Sequence, residues 1–161
     1  MVKLREIKAL PTLMRWRIEV LRNVFGVEPG PRLLVANRIY YRSHIADGSH
    51  IALVASEEGE DAGCGAVCFS DELPSPDNPT GHCAYIMNVY VREKFRRHGI
   101  ARKIIEKLIE EAEKRDCRKI YLETTEEGRP VYESVGFVPM PDMMKLSVPN
   151  LTEPYEAREK Q

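Results

Sequence analysis

Hydrophobic and polar positions change period along this chain, and each change marks an element. Residues 2–7 alternate weakly and read as a first strand. From residue 10 to 25, Leu10, Leu13, Met14, Ile18, Leu21, Val24 and Phe25 fall close to helical spacing. Gly26 and Pro29-Gly30-Pro31 end that helix. Residues 32–46 repeat a helical pattern with Leu33, Leu34, Ile39, Tyr40 and Ile45. After an Asp47-Gly48 turn, residues 50–56 read as a buried strand, 57–61 as an acidic hairpin loop around Gly59, and 64–70 as the returning strand. Pro74, Pro76 and Pro79 keep residues 73–82 out of regular structure. Residues 83–91 form a fourth strand. The clearest amphipathic helix is 99–116, with Ile100, Ala101, Ile104, Ile105, Leu108, Ile109 and Ala112 on one face. A strand over 119–124 and a short helix over 128–135 follow, with Gly136 as its left-handed stop. Residues 137–140 and 143–148 are expected to close the sheet.

That order, β-α-α-β-β-β-α-β-α-β-β, predicts an α/β mixture of the α+β type, with an antiparallel front half and one crossover helix. The 161 residues suit one domain, expected over 1–148, with a polar tail over 149–161. The net charge is −1, from 24 basic and 25 acidic residues, so nothing drives the chain toward nucleic acid or an anionic membrane. No apolar run has the length of a membrane span, and residues 1–10 carry charges where a signal peptide needs an apolar stretch. A cytoplasmic location is expected. Cys64, Cys68, Cys83 and Cys117 read as reduced strand thiols and not as metal ligands, and no metal is expected.

The chemistry concentrates between residues 84 and 112. An apolar strand runs into a charged turn, and a glycine, Gly99, precedes the main helix. The first N–H groups of a helix lack internal partners and sit at the positive end of its dipole, so this arrangement makes an anion site. Arg96, Arg97 and, when protonated, His98 add charge. Residues 96–101 read as a pyrophosphate cradle.

Arg96, Gly99 and Ala101 stand as R-x-x-G-x-A, which resembles the acyl-CoA signature of the GNAT acetyltransferase superfamily, Gln/Arg-x-x-Gly-x-Gly/Ala. Downstream, Pro130-Val131-Tyr132-Glu133-Ser134-Val135-Gly136-Phe137 resembles the family's LYE-x-x-GF segment. The likeness runs from Ala84 to Leu146, and by element order over the earlier residues. It implies the GNAT fold: a mixed central sheet of about seven strands, splayed between strands 4 and 5, with four helices. It also implies acetyl-CoA as co-substrate. Amides of Arg97, His98, Gly99, Ile100 and Ala101 would meet the pyrophosphate, and Arg102 the 3′-phosphate region unless it is simply a solvated helix residue. Val89, Tyr90 and Val91 would lie along the pantetheine, with Val89 and Val91 bonding it through the main chain. Thr125 stands where the family often has asparagine and can still hydrogen-bond. Tyr132 matches the tyrosine that protonates the departing thiolate in many members, or else packs the last helix onto the sheet.

The resemblance leaves the general base open. The family's fourth-strand glutamate position falls near Tyr85; Glu123 and His82 are the candidates, Asn88 could orient a water or the amine, and no base is needed if the amine arrives partly neutral. Asp71, Glu72 and Asp77 could draw a cationic amine, and Tyr40 and Tyr41 could shape an acceptor pocket. The expected activity is direct N-acetylation of a primary amine of a small molecule, with residues 73–82 closing the pocket. A protein or peptide acetyltransferase and a non-catalytic acyl-CoA sensor are the rivals. Dimerisation is common in the superfamily, so a homodimer is an expectation too.

Overall fold

The computed structural model describes residues 1–147. Its elements are β1 (Val2–Ile7), α1 (Leu10–Asn23), α2 (Pro31–Ala46), β2 (His50–Glu57), β3 (Glu60–Asp71), β4 (His82–Val91), α3 (Ile100–Lys114), β5 (Lys119–Leu122) and α4 (Arg129–Ser134), with a 3-10 turn over Glu93–Phe95. β1 to β4 form an antiparallel meander, and β5 adds to β4 in parallel through the α3 crossover. The β2–β3 hairpin turns on Glu58 and Gly59, both at positive φ, as a two-residue mirror-image turn requires.

The sheet is covered on both faces, which is why β2 reads as an unbroken apolar run. Ile51, Leu53 and Ala55 point to α3, where Ile100, Ile104, Leu108 and Ala112 complete one core. Ala52 and Val54 point the other way, against Leu13, Met14, Trp16 and Val20 of α1 and Tyr41 of α2. Gly65 of β3 lies under α3. A Cβ there would collide with Cγ2 of Ile104 and come within 3.3 Å of Leu108, so the missing side chain sets how closely the helix sits.

The sheet has five strands among the described residues, and the two closing strands expected at 137–140 and 143–148 do not form over 137–147. Pro139 and Pro141 remove two ladder donors from an eleven-residue stretch, and Val138 and Met144 are 77% and 98% exposed. Val148 and the expected tail over 149–161 lie outside the described residues. Gly136 does stop α4, at φ +107. No helix among the described residues is long and apolar enough to cross a membrane.

Candidate active site

Two irregularities in β4 create the site. The first is a bulge. Cys64 pairs with Tyr90 and Ala66 with Met87, so Asn88 and Val89 both oppose Gly65. Asn88 takes φ +58, which asparagine tolerates better than most residues. Side chains hold it there: Arg17 Nη1 donates to Asn88 Oδ1 at 2.8 Å, and the Cys64 thiol donates to the Asn88 carbonyl at 3.3 Å. Arg17 Nε also donates to Asn37 Oδ1 at 3.1 Å, so α1 and α2 both brace the bulge.

The second is the splay. β5 pairs with β4 only from Cys83 to Ile86, while β4 runs on to Val91. The β5-facing backbone groups of Met87 to Val91 therefore have no strand partner among the described residues. This is the expected parting of strands 4 and 5. Val89 packs toward α3 and Tyr90 toward α1, which leaves the main-chain edge of Val89, Tyr90 and Val91 open to the cleft. The Val91 carbonyl accepts one bond, from Arg96 Nε at 3.1 Å.

The cradle follows at the end of β4. Arg97 and Gly99 both take positive φ, +66 and +76, either side of His98. Among the described residues, no carbonyl or side chain accepts a hydrogen bond from the N–H groups of residues 97–102, and Gly99, the N-cap of α3, supplies no side-chain cap. Alternating conformations that turn successive N–H groups outward make an anion-binding concavity. A Cβ on Gly99 would meet no atom of the described residues within 4 Å, so its glycine is demanded by φ, not by crowding. These donors fit a pyrophosphate. His98 Nδ1 lies 2.7 Å from Glu57, and Arg102 Nε donates to Glu106 at 2.8 Å on the exposed face of α3, as a solvated helix residue would.

Beyond the bulge, at the far end of the unpaired stretch, a cavity of about 340 Å³ opens between α1, β4 and the loop after β5. Tyr132 forms its inner wall. Gly128 permits the close turn into α4, since a Cβ there would come within 2.7 Å of Thr124 Oγ1 and 3.4 Å of the Tyr132 ring. Thr125 Oγ1 accepts the Gly128 N–H at 3.2 Å and so shapes the same turn. The Tyr132 ring meets Phe137 edge-on at 5.9 Å, and its hydroxyl has no hydrogen-bond partner among the described residues. Burial, with a smaller contribution from Tyr85, pushes its phenol up to about 12. Burial and the neighbouring Glu123 carboxylate also raise the Tyr85 phenol. Glu123 lies just past the end of β5 and lines the cavity with Arg17, Asn88 and Tyr132.

Other sequence candidates lie elsewhere. Residues 73–82 do not close this cavity. They cap the opposite end of the sheet, where Thr80 donates to the Asp116 carbonyl at 2.9 Å. His82, six residues before Asn88 and so about 20 Å away along the strand, is paired with Asp71 at 2.7 Å. Glu72 accepts from Lys119 at 3.0 Å, and Asp77 from Ser75 at 2.7 Å. Tyr41 is core. The Tyr40 hydroxyl sits 2.9 Å from His50 Nδ1 and 3.0 Å from Cys68 Sγ. The structure thus places a cysteine 3.3 Å from a histidine, a contact that sequence spacing did not suggest. Burial raises the Cys68 thiol and lowers His50 to about 4, so the pair is neutral and lies outside the cavity. Arg17 and Phe25 were missed as site residues. A signal existed: Arg17 falls on the apolar face of α1, among Leu13, Val20 and Leu21. No cluster of metal-ligating side chains occurs among the described residues.

Comparison with known proteins agrees with this geometry. The model of the acetyltransferase (GNAT) family matches residues 10–137. A predicted acetyltransferase from Clostridium acetobutylicum, solved with acetyl-CoA, is 29% identical with a TM-score of 0.82, over 91% of this chain and 96% of that one. A GCN5-related N-acetyltransferase from Ralstonia eutropha JMP134 is 25% identical with a TM-score of 0.74, over 91% and 99%. Glucosamine-6-phosphate N-acetyltransferase from Arabidopsis thaliana, at 21% identity, a TM-score of 0.70, and 91% and 98% coverage, shares the fold. No curated protein sequence matches. Splayed strands, an open cradle of amides and a match over most of the chain lead to one conclusion: this chain belongs to the GNAT acetyltransferase family and is an acyltransferase.

Proposed function

We propose that the protein acetylates the primary amine of a small molecule, taking the acetyl group from acetyl-CoA by direct attack. One observation supports this most: the cradle and the Tyr132 cavity lie at the two ends of the unpaired stretch of β4, so one extended thioester lying there would carry its acetyl group into the cavity. The cavity, of about 340 Å³, has room for a small acceptor, and a second one of about 550 Å³ adjoins it at Glu123, Thr124 and Tyr132.

Each residue then has a task. Residues 97–101 hold the pyrophosphate, and Val89 and Val91 bond the pantetheine amides. The Val89 N–H polarises the thioester carbonyl, and the fixed geometry supplies most of the rate. The amine nitrogen attacks the carbonyl carbon, the C–S bond breaks, and the nitrogen's proton leaves through Glu123 or water. A phenol near 12 is a weaker acid than an ordinary thiol by about 3.5 pH units, so complete proton transfer to the thiolate would cost about 5 kcal/mol. Tyr132 therefore steadies the departing sulfur with a hydrogen bond.

Thiol release from acetyl-CoA against amino acids, polyamines, aminoglycosides and short peptides tests the reading. Acceptor-dependent release that collapses in Tyr132→Phe supports it. Peptide-only turnover moves the acceptor to proteins, and acetyl-CoA binding without turnover favours a sensor.

A further inference from the structure

Among the described residues, Arg17 is the one cation that lines the cavity between α1, β4 and the loop after β5, and its surroundings do not neutralise it. Its partners are two neutral amide oxygens, those of Asn37 and Asn88, and the ring of Phe25 at 5.5 Å. No carboxylate among the described residues pairs with it. Another half-buried guanidinium on the same side of the sheet is treated differently: Arg92 makes a two-pronged pair with Glu19 at 2.7 and 2.9 Å. Withdrawing an unpaired charge from water costs stability, and a guanidinium offers five donors, of which Arg17 uses two. The free donors suit the paired oxygens of a carboxylate. The same cavity is lined by Glu123, its one carboxylate among the described residues, beside Tyr85. Val20, Val24, Phe25 and Met87 supply apolar wall.

We infer that the acceptor is an α-amino acid, its carboxylate on Arg17 and its amine toward Glu123 and the thioester. This rests on the acetyltransferase reading above. A phosphate monoester, near −2, calls for more than one cation, and among the described residues this cavity has one. Arg17 here is a specificity residue, and its bond to Asn88 also positions the bulge, so the test must separate the two roles.

The test measures kcat/KM by thiol release for a panel of α-amino acids, each beside its decarboxylated amine (phenylalanine with phenethylamine among them), and for glucosamine 6-phosphate. Wild type is compared with Arg17→Gln, which drops the charge and keeps an amide donor for Asn88. A charge-assisted hydrogen bond predicts that the best amino acid exceeds its amine by about 10- to 100-fold in wild type. In the variant the amino acid loses far more than its amine, so that ratio falls to about one, through KM. The inference is overturned if the amines match or beat the amino acids in wild type, if the variant slows both members of each pair alike, or if the phosphorylated sugar is preferred. Acetyl-CoA binding, measured separately by calorimetry, divides the failures. Binding with turnover of amines but of no amino acid refutes this inference alone, whereas no binding, or binding with no turnover at all, refutes the proposed function beneath it.

Discussion

His50 makes the stability of this protein depend on pH between 6.5 and about 4. The imidazole is 4% exposed, beneath α2, with Tyr40 on Nδ1 and no partner on Nε2. Burial, then the charges of His44 and Arg17, lower it from 6.5 to about 4. The folded pKa lies below the unfolded one, so as pH falls the unfolded chain takes the proton first. Stability is therefore intact above 6.5 and is lost as pH falls from 6.5 toward 4. The gap of about 2.5 pH units corresponds to about 3 kcal/mol at most, accumulating at about 1.4 kcal/mol per unit. Urea unfolding of wild type and His50→Gln at half-unit steps from about pH 7.5 to about pH 4.5 measures it. Wild type should lose stability through that range, and the variant, less stable at neutral pH, should lose about 2 kcal/mol less across it. Parallel slopes in the two proteins would refute the argument, because the proton would then belong to another group.

Further outcomes follow from the site. Tyr132→Phe should lower kcat by about 10- to 100-fold, with acetyl-CoA affinity and unfolding midpoint nearly unchanged, since the hydroxyl has no protein partner. Because that phenol titrates near 12, wild-type kcat should show no fall between about pH 8 and about pH 10. Gly99→Ala should cost about 1 kcal/mol in unfolding, since φ +76 strains an alanine with open space around it, and should weaken acetyl-CoA binding measured by calorimetry. Gly65→Ala should cost about 1–3 kcal/mol by thermal or urea unfolding, because the new methyl strikes Ile104 and lifts α3.

The cradle was legible because its chemistry is written in adjacent residues: a strand, two arginines, a glycine and an amphipathic helix need no distant partner to be read. The block around Tyr132 was legible for the same reason. Residues brought together by the sheet were not. Arg17 and Asn88 are 71 residues apart, and only the bulge opposite Gly65 makes them meet. Residues 73–82 looked suited to a lid, but the direction of β4 puts them at the wrong end. The closing strands failed on local grounds that were visible, since Pro139 and Pro141 interrupt the apolar run.

The five-strand sheet is a meander everywhere except at its last pair, which is held by four register positions and reached only through α3. Among the described residues β5 is therefore the strand most weakly tied to the rest, bonded along one edge and over four of the ten residues of its neighbour. A ligand lying in the splay would do the work of the missing ladder, bridging β4 to the loop that carries Glu123, Thr125 and Tyr132. Cofactor binding is in that sense the final step of sheet assembly. A thioester bound there would tie the wall that presents the tyrosine to the meander.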